Sequence, residues 1–118
     1  MTQVETLTFE EAGGIPNTRL PVLVYHEVEG AREADECNKL LARNRWLGAW
    51  VDGIYSFHHF HSTAHEVLGI VAGSAAVVLG GPSGRRFEVS RGDILVLPAG
   101  TRHCNVGSSD DLLVIGAL

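Results

Sequence analysis

A chain of 118 residues and 12.7 kDa, 45% hydrophobic and 19% charged, has room for one packed core and too little charge for a disordered polymer. Its net charge of −5 and the lack of any Lys/Arg run exclude the electrostatic footprint of a nucleic-acid binder. The two cysteines, Cys37 and Cys104, form no C-x-x-C unit; the N-terminus is polar and acidic, and no apolar run approaches membrane length. The expectation is a cytoplasmic protein without a disulfide framework or membrane contact.

Residues 6–9 alternate weakly and read as a first strand, followed by a turn at Gly13, Gly14 and Pro16. Residues 20–28, LPVLVYHEV, are branched and aromatic and read as a strand with Pro21 at its start. Residues 31–45, AREADECNKLLARNR, are good helix formers. Ala34, Cys37 and Leu41 fall on a partly apolar face of that helix, which is expected to lie outside the sheet structure. Trp46 and Trp50 are expected to dock it.

From residue 54 onward the chain reads as short strands: 54–61, 66–72, 75–79, 85–89, 93–97, 103–106 and 112–117. Glycine-rich turns separate them, which is the pattern of an all-β sandwich or barrel. GGPSG at residues 80–84 has neither the Lys-Ser/Thr nor the following helix of a phosphate loop, and reads as a hairpin turn.

The chemistry concentrates in residues 53–73, GIYSFHHFHSTAHEVLGIVAG. Side chains two apart on a strand share a face, so His59 and His61 point one way with Phe57 and His58 points the other. After a short turn, Glu66, Leu68 and Ile70 alternate against His65, Val67 and Val71. Placed on the face of His59 and His61, Glu66 completes a convergence of three ligand-type groups. GDILVLPAGTRH then supplies a strand, a Pro-Ala-Gly turn and His103, and such a turn could return His103 to the same cavity. Three imidazoles and a carboxylate suit a divalent transition metal, Fe, Mn, Ni, Co, Cu or Zn, and not magnesium or calcium, which take mostly oxygen.

These residues resemble the cupin family. Gly53, His59, His61, Glu66 and Gly73 are similar to its first motif, and Gly92, Pro98, Gly100 and His103 to its second. Gly107 stands where the family usually has asparagine, with Asn105 the nearest equivalent. Within the family the chain is similar to small single-domain bacterial members with a signature like FHHFHSTAHEVLG at residues 57–69. The resemblance implies an all-β, double-stranded β-helix, a jelly-roll barrel, with one N-terminal helix packed outside. It implies a single domain over 1–118, with N-terminal strands and helix in 1–50 and a metal-binding barrel core in 51–118. It further implies that His59, His61, Glu66 and His103 bind the metal. Because the chain stops soon after its last strand, the barrel is expected to be closed by a neighbouring subunit or open on one side.

The remaining candidates are weaker. Phe57, His65 and Asn105 are candidates for lining the pocket or supporting a ligand by hydrogen bonding, against plain packing or turn roles. His58 points away from the metal, Cys104 is expected to point outward, and His26 has no functional assignment. Arg85, Arg86 and Arg91 are expected at solvent-facing hairpins and Asp93 as a turn-fixing residue, with Arg102 near the second turn only a minor candidate for reaching an anionic substrate. The function is open between a metal-dependent enzyme of oxygenase or isomerase type acting on a small organic molecule, a non-catalytic ligand-binding or sensing module, and a structural protein with a vestigial site. Apolar outer strand faces point to self-association, with a homodimer expected.

Overall fold

The branched runs VLVYH, EVLGIVA, ILVL and LVIGA lie side by side, because a pleated strand can bury alternate side chains on opposite faces. The computed structural model describes residues 3–8, 21–46, 50–52, 65–81 and 84–118. In it these runs are β2 (Val22–His26), β4 (Glu66–Ala72), β7 (Ile94–Leu97) and β9 (Leu113–Ala117). With β1 (Gln3–Leu7) and β3 (Trp50–Asp52) they form a six-stranded sheet in the order β1-β2-β7-β4-β9-β3. A second sheet of three strands, β6-β5-β8, is built from β5 (Ser74–Leu79), β6 (Arg85–Ser90) and β8 (His103–Ser108). Neighbouring strands pair antiparallel, with irregular register between Ile70 and Ala72 and between Ala76 and Val77.

One buried cluster joins the two sheets face to face. Val22, Val24, Leu68, Ile70, Leu95, Leu97 and Val114 come from the large sheet, and Ala75, Val77, Leu79, Phe87 and Val89 from the small one. The other face of the large sheet is covered by α1 (Ala34–Arg43), whose Cys37 and Leu41 pack with Val67, Val71, Ile94, Ile115 and Ala117. The alternation of β4 therefore sorts as expected: Leu68 and Ile70 face the second sheet, while Val67 and Val71 face the helix. Gly69 lies under α1, where a Cβ would come within 2.5 Å of the Cys37 sulfur. Trp46 is partly buried against the same cluster, with its N–H donated to the Leu41 carbonyl, and docks the end of the helix.

The structure adjusts several expectations. The helix spans Ala34–Arg43 rather than 31–45; it begins after an extended Glu33, and Arg45 has a positive φ of 67°. The first strand is Gln3–Leu7, earlier than expected, because its residues pair one by one with β2, from Gln3 opposite His26 to Leu7 opposite Val22. β2 stops at His26, where Glu27 takes a left-handed φ of 53°. β3 was expected only as a docking tryptophan; it is a strand because Trp50 to Asp52 pair with Gly116 to Val114. The expected strand over 54–61 lies outside the described residues. The expected closed barrel is not found among the described residues: the strands lie in two sheets, and no ladder joins β6 or β8 to the large one. The architecture is a β-rich, jelly-roll-like sandwich with one helix outside.

Candidate metal site

Glu66 is the first residue of β4 and, by the parity of Leu68 and Ile70, points between the sheets; it is 4% exposed. His103 is the first residue of β8 and sits opposite Leu79 in the second sheet, also 4% exposed. Their side chains meet across the sandwich, with His103 Nε2 3.1 Å from Glu66 Oε1. A buried imidazole and carboxylate are costly unless each finds a partner, so this pair marks a polar spot among the described residues of the interior.

Local sequence explains why the two meet. Glu66 pairs with Leu97 at the end of the β4–β7 ladder, and Pro98, which has no N–H, stops the ladder there. The chain then turns: the Thr101 N–H is donated to the Pro98 carbonyl at 3.0 Å, and Gly100 supplies the positive φ of 89° that such a turn requires at its third residue. On the far side, the Gly80 N–H is donated to the Arg102 carbonyl at 2.9 Å, seating the chain on the second sheet just before His103.

The pair fits a shared ion. Two donors each about 2.1 Å from one metal and roughly at right angles stand about 3.0 Å apart. The observed 3.1 Å matches that separation, and nitrogen plus carboxylate oxygen is a transition-metal donor set. Among the described residues no group of three or more His, Cys, Asp or Glu side chains is placed to hold a metal. His59 and His61, the other two expected ligands, lie outside the described residues, as do Phe57 and His58.

Other expected residues fall as follows. His65 is exposed, and its Nδ1 accepts the Ala99 N–H at 2.9 Å. Asn105 is half-buried; its Oδ1 accepts the Gly107 N–H at 2.9 Å and its Nδ2 donates to Ser108 Oγ at 3.3 Å. Cys104 was expected to point outward but is buried, because both faces of β8 are covered at its start; its Sγ lies 3.7 Å from the Asn105 carbonyl. Asp93 fixes its turn as expected, accepting the Ser90 N–H at 2.9 Å and the Glu27 N–H at 3.1 Å. Arg91 is exposed yet engaged, donating to the Arg32 carbonyl and to Glu33, each at 2.6 Å.

One ionic contact carried no signal in the sequence. His26 Nε2 lies 2.6 Å from Glu5 Oε2, and its Nδ1 lies 3.4 Å from Asp93 Oδ1. The Glu5 hydrogen bond, aided by Asp93 and opposed by partial burial, raises the His26 pKa above 6.5. Alternating parity on a strand of unknown register could not locate Glu5 beside it. Burial alone raises the Cys37 thiol.

A β-rich sandwich with a buried His–Glu pair between its sheets defines the class, and comparison with known proteins defines the family. A family profile described as Cupin matches residues 52–118, so the chain belongs to the cupin family. It is 32% identical over 116 residues to the uncharacterized protein YjlB of Bacillus subtilis, an alignment covering 98% of this chain and 69% of that one. A crystal structure of a DUF861 family protein from Thermotoga maritima aligns with a TM-score of 0.46 and 20% identity, covering 74% of this chain and 93% of that one.

Proposed function

We propose that this cupin binds one divalent transition metal, Fe, Mn, Ni, Co, Cu or Zn, through Glu66 and His103 together with His59 and His61. It then acts on a small organic molecule as an oxygenase or isomerase. The observation that carries the reading is the 3.1 Å approach of Glu66 and His103 from opposite sheets. Bound there, such an ion supplies Lewis acidity and, for redox-active metals, electron transfer. Glu66 contributes a negative charge that favours a cation, and His103 a neutral imidazole nitrogen. Leu97 and Leu79, the cross-strand partners of Glu66 and His103, belong with Leu68 to the buried apolar cluster, which suits an uncharged or weakly polar substrate.

The acidic balance of the chain supports a role without nucleic acid. Among the described residues no helix is long and apolar enough to cross a membrane. We read the chain as one cytoplasmic domain that works as a homodimer. Among the described residues β1 lies at an edge of the large sheet with Val4 half-exposed, a surface on which a second copy can pair.

The test is elemental analysis of protein purified without chelator, followed by oxygen-uptake and product screening with small thiols, diketones and catechols. Metal at one per chain with turnover of a substrate supports the enzyme. Metal with a ligand that leaves unchanged assigns a binding or sensing module instead. A chain that takes up no metal removes both.

A further inference from the structure

We propose that His65 is a positioning residue for the metal site: its Nδ1 accepts the Ala99 N–H and thereby holds the sheet-to-sheet turn that places His103 against Glu66. The proposal rests on the metal reading above.

The backbone ladder between β4 and β7 ends at Glu66 and Leu97, because Pro98 has no proton to give. The next N–H belongs to Ala99, and it is the His65 side chain, 2.9 Å away, that accepts it. An imidazole nitrogen thus continues the attachment of the two strands past the point where backbone pairing fails. Nδ1 accepts, so the ring proton of neutral His65 sits on Nε2.

The place of this bond gives it leverage. His65 is the residue before Glu66, and Ala99 sits in the turn whose exit leads through Arg102 to His103. The bond from Thr101 to Pro98 closes the turn on itself, and the bond from Gly80 to Arg102 seats its exit on the small sheet. His65 ties the same turn to the large sheet, one residue from the carboxylate. With His65 in place, the separation of Glu66 and His103 is fixed by a short chain of hydrogen bonds. Without it, the turn is free to tilt and the two donors lose their common focus. Groups that orient metal ligands commonly affect affinity about 10–100-fold.

The experiment measures Co(II) binding by chelator competition, with the visible spectrum of the bound ion, in wild type, His65→Asn, His65→Ala and His65→Gln. Asparagine places its Oδ1 near the position of Nδ1, whereas glutamine carries its acceptor one bond further out and alanine has none. His65→Ala and His65→Gln are expected to bind Co(II) about 10–100-fold more weakly with an altered spectrum, and His65→Asn to keep wild-type affinity and spectrum. Far-ultraviolet circular dichroism of the apoproteins identifies any variant that fails to fold, and His65→Gln then stands in for His65→Ala. The proposal is overturned if His65→Ala and His65→Gln match wild type, or if His65→Asn loses as much as they do. A wild type that takes up no Co(II) ends the metal reading itself, which sets that failure apart from a failure of the positioning role.

Discussion

Glu66 Oε1 and His103 Nε2 stand 3.1 Å apart although each heads a strand in a different sheet. Both side chains are 6% exposed, so neither has much water to fall back on. Replacing either one removes the group 3.1 Å from the other in a buried setting, at a cost of about 1–3 kcal/mol. Glu66→Ala and His103→Ala are therefore expected to lower the urea midpoint of the apoprotein. The double variant should lose less than the sum of the two, because both single variants lose the same shared contact. Additive losses would show that the two side chains do not depend on each other.

His26 gives a pH dependence whose sign follows from its raised pKa. The folded protein holds the His26 proton more tightly than the unfolded chain, because Glu5 and Asp93 face it. The added stability is fully present below the ordinary value of 6.5 and is lost as pH rises through the raised folded value. Glu5 is well exposed, so the magnitude is that of a surface pair, about 0.2–1 kcal/mol. Urea midpoints of wild type and His26→Gln are expected to differ most at acidic pH, above the range where the carboxylates protonate, and to converge at alkaline pH. A constant difference across that range would remove the ion pair from the account.

At Gly69 the helix comes too close for any side chain. A Cβ there would lie 2.5 Å from the Cys37 sulfur, so Gly69→Ala is expected to cost about 1–3 kcal/mol by overpacking. Cys37→Ala removes the obstacle, and Gly69→Ala should be milder in that background. Chemical denaturation of the four proteins measures the coupling, and equal effects in both backgrounds would contradict the contact.

Cys37 is fully buried and its thiol is pushed up by that burial. A thiol-specific reagent at pH 8 is therefore expected to modify Cys37 only as fast as the protein opens, and rapidly in denaturant. Prompt modification of Cys37 in the native protein, mapped by mass spectrometry, would contradict the position of α1 on the sheet.

Much of this was legible in the sequence, and the reason is periodicity. EVLGIVA is a short branched, apolar run bounded by turn residues, so β4 falls on its expected residues, Glu66–Ala72, and the pleat sends alternate side chains to its two buried faces. The helix was equally plain, since Cys37 and Leu41 lie one turn apart on the face that is buried. Contacts between distant segments left no such trace. Nothing local tells Glu5 that its side chain reaches His26, or tells Trp50 that Gly116 gives it a partner strand. Cys104 was misplaced because alternation assumes one wet face, and the start of β8 has none. The His65–Ala99 bond had a faint signal: a proline at the end of a ladder leaves the next N–H in search of an acceptor. Of the four expected ligands, Glu66 and His103 are described and lie 3.1 Å apart; His59 and His61 fall outside the described residues.

The measurement that bears most directly on the site is Co(II) stoichiometry and affinity in wild type, Glu66→Ala and His103→Ala, all prepared without chelator and checked for folding. The account predicts one ion per wild-type chain, and a large loss of affinity in each variant. A folded wild type that stays empty at saturating Co(II), or variants that bind as it does, would contradict it.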